Sequence, residues 1–109
     1  MPLSDRPIDQ AIDIARAERE TLRWVLVTAL WHARPYGALE SLLLSCAHDI
    51  PLRVTAHAVR QELDWLADHG LVRIDREGPI WSAALTARGQ GVYEYREDAP
   101  KGLARPARW

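Results

Sequence analysis

The sequence predicts a mainly α-helical domain bearing a small β-hairpin, and three observations predict it. The stretch 54–72 has Val59, Leu63 and Leu66 at i, i+4 and i+7, the stripe of an amphipathic helix, with Gly70 placed to end it. Residues 71–75 and 80–85 alternate around the breaker-rich turn Arg76-Glu77-Gly78-Pro79, the pattern of two paired strands. Residues 22–31 are apolar nearly all round, so a helix there needs cover on every side. At 109 residues the chain makes one domain with a modest core.

In chain order, residues 1–6 read as a flexible N-terminus. Asp5 is placed to cap a helix with Pro7 in its first turn, where a missing amide costs nothing. That helix is expected from Pro7 to about His32, either continuous or broken near 19–21. Its charged stretch, Arg16, Glu18, Arg19 and Glu20, stays solvated or pairs at i,i+4. Beyond Leu22, one apolar side packs on the core. The other is wrapped by the rest of the chain or by a second copy, and Ile12, Trp24, Val27 and Trp31 are the candidate dimer surface.

The turn 33–37 contains Pro35, which excludes helical geometry at Arg34. Residues 38–47 predict a short helix with Leu39, Leu42, Leu43 and Cys46 inward, and 48–53 a turn. Thr55 is a good cap for the next helix. In the hairpin, Leu71 faces inward and Arg73 and Asp75 outward. Thr86 caps a last helix, 87 to about 96, which Gly89 and Gly91 weaken unless they admit a close neighbour. Residues 97–109 have no periodicity. Lys101, Arg105 and Arg108 make this a basic tail, expected to be disordered, and leave 7–96 as the domain proper.

Bulk composition narrows the function. A net charge of −1 and a pI near 6.4 count against holding nucleic acid by bulk electrostatics. Thirteen arginines against one lysine fit an arginine-biased genome, or bidentate recognition of phosphate and guanine. Five tryptophans and no phenylalanine place large rings in the core or an interface. No apolar run is long enough to cross a bilayer, the N-terminus lacks signal-peptide character, and a single cysteine cannot form an internal disulfide. These features point to the cytoplasm. His32, His48, His57 and His69 lie in different segments, so no metal or other cofactor is expected. No catalytic motif is present, and Cys46 lies on a leucine-rich helix as a small hydrophobe. The chain is not expected to be an enzyme.

Two helices joined by a short turn, the second ending in Gly70-Leu71-Val72 before a hairpin and a further helix, resemble winged helix-turn-helix domains of the broad ArsR/MarR type. The residues that carry the resemblance are Val59-Arg60-Gln61-Glu62-Leu63-Asp64-Trp65-Leu66, Gly70-Leu71-Val72, and Leu85-Thr86-Ala87-Arg88-Gly89. A closer resemblance is to small winged-helix proteins of Mu-like phages and prophages, which are similar in length and end in Gly-x-x-Arg-Pro, here residues 102–106. The match spans roughly 22–106. The paired cysteines of metal-sensing ArsR proteins are absent, and metal sensing with them.

The resemblance implies that the helix after Thr55 enters the major groove of double-stranded DNA, presenting His57, Arg60, Gln61 and Asp64. Arg60 suits guanine O6 and N7, Gln61 suits adenine, and Arg73 and Arg76 on the wing suit the backbone. Against this, Glu62, Asp64 and Asp68 are carboxylates on the same helix. The implied function is sequence-specific transcription regulation by a homodimer. The alternative is a winged-helix protein-interaction module in phage gene expression or assembly, which the near-neutral charge and acidic helix favour.

Overall fold

A computed structural model of the chain describes residues 12–50 and 52–108. Among them are four helices and a three-stranded antiparallel sheet. In order these are α1 (Ile14–His32), β1 (Ala38–Leu39), α2 (Glu40–His48), α3 (Ala56–Asp68), β2 (Val72–Asp75), β3 (Ser82–Leu85) and α4 (Ala87–Tyr93).

Helix α1 is central and touches α2, α3, α4 and β3. It begins later than Pro7, because Asp13 is extended and its carboxylate accepts the Arg16 amide at 2.9 Å, capping a helix that starts at Ile14. From there it runs unbroken through 19–21. The expected Asp5 cap and flexible residues 1–6 lie outside the described residues. Leu22, Leu26, Val27 and Leu30 fill the core at helical spacing.

Part of the second apolar side of α1 is covered by the chain itself, which takes Val27 and much of Trp31 out of the expected dimer surface, while Trp24 keeps an edge in an open groove between α1 and α2. Val27 is wholly buried within the monomer. Tyr93 of α4 stacks on Trp24 at 5.4 Å and on Trp31 at 4.8 Å between ring centroids. The Trp31 indole donates to Glu94 Oε2 at 3.0 Å. Of the four expected positions, Ile12 alone stands well out in solvent.

The helix expected over 38–47 starts only at Glu40. Gly37, at φ +77°, turns the chain so that Ala38 pairs with Ala83 and Leu39 with Ser82, adding a third strand beside the hairpin. The Glu40 amide then donates to the Trp81 carbonyl at 2.9 Å. This strand sets the phase of α2. Leu43 is buried and Cys46 half-buried as expected, and Ala47 joins them inward, while Leu39 (52% exposed) and Leu42 (55%) point out against expectation. In the hairpin β2 pairs with β3 from Val72↔Leu85 to Asp75↔Ser82.

Helix α3 follows the sequence closely. Thr55 Oγ1 accepts the Ala58 amide at 3.1 Å, Val59, Leu63 and Leu66 are buried, and Gly70 at φ +74° closes the turn. The tail is a correction. Residues 97–108, expected to be disordered, lie along α1 and α4. Leu103 is buried, the Ala104 amide reaches the Glu20 carbonyl, and Arg105 Nη1 donates to the carbonyls of Val92 and Glu97, each at 2.9 Å. Arg23 clasps the same strap, donating from Nη1 to the Gly102 carbonyl at 2.8 Å and from Nε to the buried Glu62 at 2.7 Å.

Candidate nucleic-acid interface

The apolar stripe of α3 faces the core, so helical geometry turns the opposite face outward. His57 and Gln61 on that face are exposed, as is the cap residue Thr55 just ahead of the helix, and Arg60 and Asp64 are half-buried. The hairpin lies directly beside them. Arg76 of the turn forms an ion pair with Asp64, and Arg60 Nη2 donates to the Pro79 carbonyl at 2.8 Å. Arg73 projects from β2 and is exposed.

Arg60 is therefore held from several sides. Its Nε and Nη2 donate to the two carboxylate oxygens of Glu40, both at 2.7 Å, the bidentate geometry for which guanidinium is suited. Its plane lies over the Trp81 ring at 4.5 Å from the centroid, and Arg76 lies over the same ring at 4.8 Å. Trp81 thus anchors two arginines, and the cluster Glu40, Arg60, Trp81, Arg76 and Asp64 ties α2, α3 and the hairpin together. Of the seven residues singled out for DNA contact, three (Arg60, Asp64 and Arg76) are committed to this cluster. Thr55, His57, Gln61 and Arg73 are not. Sequence reasoning missed Glu40 and Trp81. Glu40 lies 20 residues before Arg60, and no spacing rule joins them. Arg76, just ahead of Trp81 in the hairpin, was the only hint.

The cluster has a pH signature. The hydrogen bond from Arg60, more than its charge, holds the Glu40 carboxyl below the usual carboxylate range, against some desolvation. Because the folded-state value is the lower one, the unfolded chain takes up this proton first on acidification. The latch contributes its stability above the ordinary glutamate value and loses it as pH falls through the depressed one. We expect the urea midpoint to fall across that acid window, with a smaller fall in Glu40→Gln. Parallel curves for the two proteins would show that the latch adds nothing.

No three His, Cys, Asp or Glu side chains gather to hold a metal ion among the described residues. No described helix is long and apolar enough to cross a membrane.

No protein-family model matches the chain. Among solved structures it is similar to AF1382 from Archaeoglobus fulgidus, at 14% identity and a TM-score of 0.49, covering 84% of this chain and 89% of that one. At that score the likeness carries no inference. The relationship to Mu-like phage proteins expected from the sequence does hold. The chain is 36% identical over 69 residues to the uncharacterized protein gp26 of Escherichia phage Mu, across 63% of this chain and 71% of the phage protein. By that extent of shared sequence, the chain belongs to the family of the Mu phage protein gp26.

Proposed function

We propose that the chain is a winged-helix DNA-binding protein, with α3 as the recognition helix and the β2–β3 hairpin as the wing. The observation that carries this reading is the shared surface of the two elements. The exposed polar face of α3 (His57 and Gln61, with the cap residue Thr55 at its head) lies beside a flap that bears Arg73 and is joined to the helix by the Arg76–Asp64 ion pair. An α-helix of that kind fits the major groove, and basic residues on the adjoining flap reach phosphates. In this reading Gln61 and His57 meet base edges and Arg73 meets the backbone. Arg60, Asp64 and Arg76 act mainly as braces that fix the angle of the wing. The role is that of a transcription regulator, by occlusion or recruitment at a promoter.

A second reading, a winged helix that binds another protein, is favoured by the net charge of −1 and by Asp64 and Asp68 on α3. Salt separates the two. A DNA binder is expected to be retained on genomic DNA or heparin at low salt and to lose affinity steeply as salt rises. Arg73→Ala should weaken binding on any sequence and reduce the salt slope by about one. Gln61→Ala should cost about 1–3 kcal/mol on a selected site and little elsewhere. Absence of retention at low salt would favour the protein-binding reading.

A further inference from the structure

Arg16, Arg19 and Arg23 stand at i, i+3 and i+7 on α1, on one face of the helix. The strap lies along this face, and a hollow of about 480 Å³ between them is lined by the three arginines, Glu20, Lys101 and Gly102. Two of its four cations are already paired. Arg23 is held by the buried Glu62 at 2.7 Å, and Arg16 Nε lies 3.6 Å from Glu20 Oε2. Arg19 and Lys101 are exposed and form no ion pair among the described residues. The hollow therefore holds two positive charges in excess, in a chain whose net charge is −1.

The ion pairs also fix where this hollow stands relative to α3. Glu18 of α1 meets Arg53, just ahead of α3, and Arg23 meets Glu62 in the middle of α3, so the two helices run side by side in the same direction. The first turns of α1 thus stand level with the head of α3, where Thr55 and His57 are exposed. Arg19 also borders a second hollow, of about 360 Å³, together with Arg53, Ala58 and Gln61. Neighbouring residues of α3 mark its two flanks. Arg60 reaches the hairpin at the Pro79 carbonyl, whereas Gln61 shares a wall with Arg19. Successive residues of an α-helix point about 100° apart, so the wing and the ridge from Arg19 to Lys101 lie on different flanks of α3.

We propose that Arg19 and Lys101 bind the phosphate backbone of double-stranded DNA on the flank of α3 away from the wing. This contact rests on the DNA-binding reading of α3 and adds a second backbone site to it. The two-sided placement of charge selects the partner. A major groove is about 12 Å wide and carries a phosphate strand along each lip, so a helix seated in it meets phosphates on both sides. Here α3 has Arg73 of the wing on one flank and Arg19 with Lys101 on the other. Arg16 and Arg53 can add to the contact. Their pairs with Glu20 and Glu18, at 3.6 and 3.5 Å, involve largely exposed arginines, and such surface pairs hold weakly. The bond from Arg23 to the Gly102 carbonyl anchors the strap beside Lys101, so the ammonium is presented from a fixed backbone.

Fluorescence anisotropy of a labelled mixed-sequence duplex, titrated with the full chain at several salt concentrations, tests it. The variant combines Arg19→Gln with Lys101→Gln. Both side chains are exposed, so the variant should keep the circular dichroism and urea midpoint of the wild type. Loss of two phosphate contacts should lower the slope of log affinity against log salt by about two, on every sequence alike. Between about 50 and 200 mM salt the wild type should then lose about tenfold more affinity than the variant. Arg19→Lys with Lys101→Arg should restore the wild-type slope. Arg88→Gln with Arg108→Gln, the same charge change at exposed residues that line neither hollow, should leave it unaltered. DNA binding by the wild type with an equal slope in the Arg19→Gln, Lys101→Gln variant overturns this contact and leaves α3 and the wing standing. An equal fall in the Arg88 and Arg108 control also overturns it, because bulk charge would then account for the effect. Absence of binding at low salt overturns the contact and the DNA-binding reading together. If the wild type then holds labelled polyglutamate and the Arg19→Gln, Lys101→Gln variant does not, the ridge serves an acidic protein.

Discussion

Arg23→Met is expected to destabilise the fold by about 3–5 kcal/mol, the usual loss when one partner of a buried ion pair is removed. The Arg23 side chain is 12% exposed and that of Glu62 is 5% exposed, so water does little to screen either charge. Arg23 Nε meets Glu62 Oε1 at 2.7 Å, Nη1 holds the Gly102 carbonyl at 2.8 Å, and the guanidinium lies 4.2 Å from the centroid of Trp65. Methionine keeps the packing of the stem over Trp65 but leaves the Glu62 carboxylate buried without a counter-charge. It also frees the strap at Gly102. Small domains hold only about 5–15 kcal/mol in total, so the variant approaches the limit of folding. A double variant, Arg23→Met with Glu62→Leu, should recover most of the loss, because the cost lies chiefly in the orphaned charge. Urea denaturation of wild type, single and double variants measures both quantities. A single variant within about 1 kcal/mol of wild type would mean that water reaches Glu62 and that the pair is not a buried one.

Gly89→Ala is the second large effect, and its sign opposes the helix scale. In an exposed helix interior this change should stabilise by about 1 kcal/mol. At Gly89, however, a Cβ atom would collide with the Leu71 carbonyl oxygen and come within 2.9 Å of Leu85 Cδ2. The Leu71 carbonyl cannot retreat freely, because it accepts the Thr86 amide at 3.0 Å at the head of α4. Overpacking against fixed backbone costs about 1–3 kcal/mol, and the upper end applies here. Gly91 in the same helix is the control. The nearest atoms to an added Cβ there all belong to the Glu97 side chain, which is exposed and can swing away. Thermal or urea midpoints should therefore drop sharply for Gly89→Ala and stay near wild type for Gly91→Ala. Equal behaviour of the two variants would contradict the close approach of α4 to the chain leading into β2.

The parts of this fold that could be read from sequence are those governed by local chemistry. Thr55, the Val59–Leu63–Leu66 stripe and Gly70 each act within a few residues, and the structure places all of them as their chemistry predicts. The hairpin was readable for the same reason, through alternation around Gly78-Pro79. What escaped depends on distant partners. The run Leu42-Leu43-Leu44 has no period of its own, so the orientation of α2 is set by two residues of β1 pairing with β3. The strap holds one buried leucine, Leu103, and is fixed by Arg23, which lies 79 residues from Gly102. At the candidate interface, residue type identified a polar outward face. It could not reveal that Arg60 is taken by Glu40 and Trp81, because that contact exists only once the sheet has formed.

If the outward face of α3 and the adjoining flap meet nucleic acid as proposed, titration of the isotopically labelled protein with mixed-sequence duplex DNA at low salt should move amide chemical shifts there. Salt-sensitive shifts are expected at Thr55, His57, Gln61 and Arg73, with Val25 of α1 and Cys46 of α2 unmoved. Shifts confined to other surfaces, or none at any DNA concentration, would contradict that reading.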